Sequence, residues 1–226
     1  MTINENQSNK NTITKISSFF VGAFTLSYFL NLLPNPLTLW EYKINLNYAF
    51  GPFLASIIVC YMYKTPLQLR LFSENLWIRK IEFIGLGIFF VGSVIMYLKA
   101  GKIDYTHIIV GILLSLIYTL LEEVGWRVFL GNELSKYSFL IIFGVSTTLW
   151  FLWHYSFKDE NLLANPLQFL GLIAAGSAGM AKFYQQTKSW MIVAVTHAVI
   201  SVNFPTLVIF LIVTIGLLKY KEMQSL

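Results

Sequence analysis

The stretch IIVGILLSLIYTLLEEVGWR, residues 108–127, decides how this chain is read. From Ile108 to Leu121 it carries no charge. It then presents two adjacent carboxylates, Glu122 and Glu123, and a guanidinium, Arg127. An apolar run of this kind reads as a helix crossing a bilayer. Charged groups at bilayer depth are costly, and where they occur they are paired, turned toward protein and functional. Helical geometry separates the two acids, because residues four apart share a face while neighbours point about 100° apart. Glu123 is placed to pair with Arg127, with the acid on the N-terminal side. Glu122 points elsewhere and is left as a carboxylate able to act as a general base. The competing reading is that all three lie at the cytoplasmic end of the helix and snorkel to water.

The rest of the chain is of the same kind. Of 226 residues, 56% are hydrophobic, 16% aromatic and 12% charged. A soluble domain carries about 25% charge, so the composition predicts an all-α, polytopic membrane protein. Eight apolar segments are candidate spans: 16–33, 46–63, 81–98, 106–123, 138–156, 167–184, 189–203 and 205–218, of which the last two are short and expected to be tilted or kinked. Pro34 and Pro36 end the first, Gly131-Asn132 reads as a stop after the fourth, and Pro205 divides the last two. Residues 1–14 read as a disordered polar tail, too polar for a signal peptide. Residues 15–226 read as one multipass domain, since no polar linker divides them. No internal repeat is visible, which argues against a transporter of two symmetric halves. Segment 64–80 mixes apolar and basic residues and is expected along the cytoplasmic interface.

The basic residues set orientation. For an even number of spans, Lys10, Lys15, Lys64, Arg70, Arg79, Lys80, Arg127, Lys136, Lys182, Lys188, Lys219 and Lys221 fall on the side of the termini, and only Lys43, Lys99, Lys102 and Lys158 on the other. This bias predicts cytoplasmic termini. The composition, rich in Lys, Ile and Asn, points to a bacterial cell membrane. The expected partner is the bilayer; the net charge of +5 does not call for nucleic acid. Cys60, the one cysteine, excludes an internal disulfide and a Cys-based zinc site, and reads as a buried thiol.

Two later spans each carry an imidazole. His154 follows Trp150-Phe151-Leu152-Trp153, so Trp150 and His154 share a face; an interfacial histidine is the competing reading. His197 sits deep in an apolar segment and needs a polar partner. Ser201 lies one turn beyond it, and Pro205 could re-aim Asn203 toward it. His107, beside Asp104, reads as interfacial, and Glu82, near a helix start, as solvated.

In that order, Glu122-Glu123-x-x-x-Arg127, Trp150-x-x-x-His154 and His197-x-x-x-Ser201 resemble the three motifs of the CAAX protease and bacteriocin-processing family. This family, also called CPBP or Abi, includes the type II CAAX prenyl endopeptidases. The likeness spans about 80 residues, from the fourth span to the seventh. It departs at Val128, where a small residue is usual, and at Ser201, where asparagine is usual. The resemblance implies a bundle of eight helices and an intramembrane endopeptidase. Glu122 would activate water with His154, and His197 with Ser201 would hold the oxyanion. Glu123 and Arg127 would brace the site, with Trp150 and Asn203 in support. No cofactor is required by that mechanism. Zinc is possible, and Glu122, His154 and His197 would hold it. The implied substrate is a hydrophobic or membrane-tethered peptide, such as a bacteriocin or pheromone precursor or a CAAX-like sequence. Two alternatives stand beside this: a catalytically weak or inactive scaffold or immunity protein of the same fold, and a proton relay or small transporter. Depth raises one difficulty. With a turn near Glu133, Glu122 lies about 16 Å below it, His154 about 31 Å along the next helix, and His197 about 13 Å from Lys188. The fifth span must therefore start near Leu140, tilt or kink to bring His154 into a common site.

Overall fold

The computed structural model describes residues 2–34, 45–99, 101 and 104–202, and among these it contains helices, turns and loops but no strand. In order they are α1 (Thr2–Asn31), α2 (Leu46–Met62), α3 (Leu76–Lys99), α4 (Tyr105–Glu123), a π-helical turn (Val124–Phe129) and α5 (Leu130–Glu133). Then follow α6 (Phe139–Trp153), a 3-10 turn (His154–Phe157), α7 (Glu160–Ala164), α8 (Pro166–Thr187) and α9 (Trp190–Val202). Four stretches are long and apolar enough to cross a membrane: Lys10–Asn31, Leu76–Lys99, Tyr105–Glu133 and Phe139–Phe157. Leu46–Met62 and Trp190–Ile200 are shorter apolar helices. The protein is thus an all-helical, polytopic membrane bundle. The span expected at 205–218, with Pro205, lies outside the described residues.

Helix ends carry the local signals expected of them. Asn45 caps α2 by accepting from Asn47 N (3.0 Å), and Asp104 caps α4 by accepting from Thr106 N (2.8 Å). His107 donates to the other Asp104 oxygen, and this bond holds the Asp104 carboxyl below its ordinary range. Pro166 opens α8 behind the Asn165 cap. The α8 helix ends at Lys188, whose φ of 52° is left-handed.

The helices are joined by polar contacts set inside apolar surfaces. α1 packs along α2, and α2 against α4; α6 and α8 pack together, and α9 lies among α3, α4 and α8. Pro52 sits inside α2 and has no N–H to offer the Tyr48 carbonyl one turn back. Ser27 of α1 supplies the missing donor to Tyr48 O (3.1 Å), and Trp153 of α6 donates to Ser27 Oγ (2.8 Å). Gly51 makes this possible, since a Cβ there would fall 1.8 Å from Ser27 Oγ. The π turn meets the same helix: a Cβ on Gly125 would stand 2.7 Å from Pro52 O and 3.0 Å from the Phe19 ring. Trp126 and Trp153, both fully buried, pack at 5.6 Å beside Phe19.

Two sequence expectations are corrected here, the tail and Glu82. Helical backbone extends through residues 2–14, read from the sequence as disordered; once the apolar part of α1 is docked, each added residue gains a helical hydrogen bond. Thr12 and Lys15 are buried, and Lys15 pairs with Glu133 at 3.1 Å. The helix that carries Gly131-Asn132 ends at Glu133, one residue past that pair. Gly131 also answers a close approach, the Tyr184 ring lying 2.7 Å from where its Cβ would be. Glu82 is fully buried rather than solvated, and its carboxylate accepts from Ser73 N (3.1 Å). Segment 64–80 is mostly a loop, tied to the bundle by this contact and by Trp190 N–H and Met191 N–H, which donate to Arg70 O and Leu71 O.

Candidate active site

The acid pair lies at the junction of α4 and the π turn, and it does not snorkel. Glu122 is 1% exposed, Glu123 0% and Arg127 1%. The six-residue π turn begins right after the acids and carries Arg127. A π turn widens the helix locally, and such turns gather at functional sites. Glu123 and Arg127 form the expected i,i+4 ion pair, with Nε and Oε2 3.4 Å apart.

Across from them stands α9. His197 Nδ1 lies 2.8 Å from Glu123 Oε1. A carboxylate only accepts, so Nδ1 carries the proton in this contact, and the imidazole is oriented by Glu123. Ligand atoms of Glu122, Glu123 and His197 all lie within 4.8 Å of one another. This is a compact acid–imidazole cluster drawn from two helices 74 residues apart.

The third helix contributes Trp150. Its indole N–H donates to Glu122 Oε1 at 2.6 Å. The same ring meets His197 edge-on at 5.3 Å, lies 4.6 Å from the Arg127 guanidinium carbon and stands 5.9 Å from the His154 ring. Trp150, expected only in support, is the hub that touches Glu122, Arg127 and His197. Glu122 is therefore not the unpartnered carboxylate that helical spacing alone suggests. Tyr118, one turn before it, is a second hydrogen-bonding partner. The sequence reading did not name Tyr118, although its i,i+4 relation to Glu122 was visible.

His154 is buried, at 8% exposure, rather than interfacial, and its Nδ1 donates to Trp150 O at 2.7 Å. It is not part of the close cluster. The fifth span starts at Phe139, later than Glu133, which removes most of the depth mismatch. Trp150 then lies about 16 Å along α6, level with Glu122, and His154 about one turn deeper. Depth and cluster together correct the ligand set considered for zinc: the residues brought together are Glu122, Glu123 and His197, not Glu122, His154 and His197. Ser201 is in the last turn of α9, but its side chain, like Asn203, lies outside the described residues.

Against known proteins, residues 104–203 match the family model described as type II CAAX prenyl endopeptidase Rce1-like. The matched stretch begins at the cap of α4 and contains the acid pair, Arg127, Trp150 and both buried histidines. No curated protein and no solved structure matches the chain. The three motifs and the membrane bundle that carries them agree with this match, and over residues 104–203 the chain is similar to the type II CAAX prenyl endopeptidase Rce1-like family.

Proposed function

We propose that this protein is an intramembrane endopeptidase that hydrolyses a peptide bond of a hydrophobic or membrane-tethered peptide with water activated by Glu122. The observation that carries this reading is the burial of Glu122, Glu123 and His197 within 4.8 Å of one another inside a membrane bundle. The likeness of residues 104–203 to the Rce1-like family makes a protease the expected activity. Glu122 takes a proton from water as the oxygen attacks the peptide carbonyl. The tetrahedral oxyanion is met by His197 as an imidazolium, whose Nδ1–H Glu123 holds and whose Nε2–H donates to the oxyanion, with Ser201 as a second donor. One such donor is worth roughly 3 kcal/mol. Collapse breaks the C–N bond, and Glu122 returns its proton to the leaving amine. His154, with Nδ1–H held on Trp150 O, stands behind Trp150 at the edge of the site, one turn from the cluster, and its part is to hold that indole in place.

The donor set favours this reaction without a resident cation. His197 Nδ1 and Glu123 Oε1 are engaged with each other, and Glu123 is already balanced by Arg127 at 3.4 Å. A divalent ion on these atoms would break the first contact and sit beside a buried guanidinium. The substrate class proposed is a bacteriocin or pheromone precursor or a CAAX-like peptide, cleaved at a bacterial cell membrane by a chain whose two termini face the cytoplasm.

The deciding experiment is Glu122→Gln, assayed on a membrane-tethered reporter peptide. Loss of a base removes about 10²–10⁴-fold in rate, while protein levels are expected to hold because the amide still accepts from Trp150. Undiminished cleavage would sink the mechanism. A second reading, an inactive scaffold or immunity protein, is favoured by the engagement of both carboxylates in hydrogen bonds. It predicts that Glu122→Gln and His197→Ala leave the phenotype intact, while Arg127→Ala, which strands Glu123, lowers protein levels.

A further inference from the structure

At the end of the bundle where α5 stops and α8 passes into α9, a cleft of about 460 Å³ opens against the loop before α3. It is lined by Gln68, Arg70, Asn132, Ser135, Tyr184 and Lys188. Each of these side chains carries a hydrogen-bond donor, two are cations and none is an acid. The cleft is distinct from the acid–imidazole cluster. Asn132 lies about 15 Å along the helix from Glu122, and Lys188 about 13 Å from His197, by helical rise.

The lining is held in place. Trp190 N–H and Met191 N–H donate to Arg70 O and Leu71 O (2.8 and 2.9 Å), which ties Arg70 to the start of α9. The first N–H groups of α9 are thereby taken, so an anion here would be met by side chains. Tyr184 donates its hydroxyl to Asn132 Oδ1 (3.1 Å), which leaves the amide N–H₂ of Asn132 for another acceptor. Lys188 donates its backbone N–H to Tyr184 O (2.8 Å), and its ammonium stands 5.2 Å over the Tyr184 ring. It has no carboxylate partner among the described residues. Partial burial pushes the Lys188 ammonium pKa down, as expected of a cation short of compensation. Arg70 pairs with Glu74 at 3.1 Å, but both side chains are more than half exposed, and such a pair is readily exchanged.

The level of the cleft points to its occupant. It lies at helix ends, on the end carrying Lys15, Lys136 and Lys188, which the charge bias assigns to the cytoplasmic leaflet. Basic pockets between transmembrane helices on that side suit anionic headgroups. We propose that this cleft binds the phosphate headgroup of an acidic phospholipid.

The test is a melting experiment on the purified full chain in neutral detergent. Phosphatidylglycerol, phosphatidylcholine and inorganic phosphate are added separately at matched concentration. Phosphatidylglycerol is expected to raise the melting temperature above either control. The rise should vanish in Arg70→Gln/Lys188→Met and persist in the charge-keeping Arg70→Lys/Lys188→Arg, both pairs being changed outside the buried core. Native mass spectrometry of the wild type should show phosphatidylglycerol retained, so the proposal stays testable even where a variant folds poorly. An equal rise with inorganic phosphate would overturn the lipid in favour of a free anion. Equal response to the two lipids, or an undiminished response in the double variant, would overturn the site. None of these readouts depends on proteolysis, so failure here and failure of the catalytic reading are separable.

Discussion

Trp150 is where the site's chemistry and its packing meet. Its N–H holds Glu122 Oε1 at 2.6 Å while its ring covers Arg127 and contacts His197. A hydrogen bond to a charged acceptor is worth about 1.5–3 kcal/mol, so the indole fixes which Glu122 oxygen faces the reaction. Trp150→Phe keeps an aromatic ring in this packing and removes only the donor. Its expected result is a roughly tenfold lower kcat, equivalent to about 1.4 kcal/mol, with KM little changed and normal protein levels. An unchanged kcat would show that Glu122 is positioned without Trp150. This contact also marks how far the sequence could be read. The i,i+4 rule found Glu123 with Arg127, and burial without a local partner flagged His197. It could not find an indole 28 residues away, because nothing local to either residue encodes that meeting. The same rule would have found Tyr118, had it been applied upstream of Glu122 as well as downstream of Glu123.

Among elements, the seven helices that answer the apolar segments between residues 16 and 203 were legible because their apolar runs are continuous and their breaks carry Pro, Asn or charge, although four of the stretches are long and apolar enough to cross a membrane. The π turn was not. It follows from where α2 presses on α4, with Pro52 O against Gly125, and a helical pattern of apolar residues does not distinguish 3.6 from wider turns. The Pro52 defect makes its own prediction. Ser27 stands in for the donor that proline lacks and also accepts from Trp153. Ser27→Ala leaves a buried carbonyl and a buried N–H unpaired, which costs about 1–3 kcal/mol for each such group. A clear fall in melting temperature in detergent is expected. Pro52→Ala restores an N–H to Tyr48, so the Ser27→Ala loss should shrink in that background. Equal losses in both backgrounds would mean that Ser27 acts only by filling space.

The whole molecule has two ends, and contacts among the described residues assign them independently of the charge count. Lys15 reaches Glu133, Ser18 Oγ lies 3.3 Å from Tyr63 OH, Tyr184 reaches Asn132, and the Arg70 loop is tied to Trp190. These gather the start of α1, the α2–α3 loop, the α5–α6 turn and the α8–α9 junction at one end. At the other, Asn45 Nδ2 reaches Asn31 at 3.5 Å, and Tyr48 stacks on Phe157 at 4.0 Å. This alternation is what spans of opposite direction require. Arg127, counted toward orientation from the sequence, is buried in the site and drops out of the tally; the remaining excess still lies at the first end. Labelling with a membrane-impermeant thiol reagent tests the assignment. Cys60 is buried, so a Cys60→Ser background is expected to fold and to be silent. In that background Ser135→Cys should label only in inside-out vesicles, and Lys158→Cys only in intact cells. The reverse pattern would place the basic cleft, and the bundle end that carries it, on the outer face. A bilayer leaflet poor in acidic lipid would then face Lys188, and the positive excess would have failed as a guide to orientation in this protein.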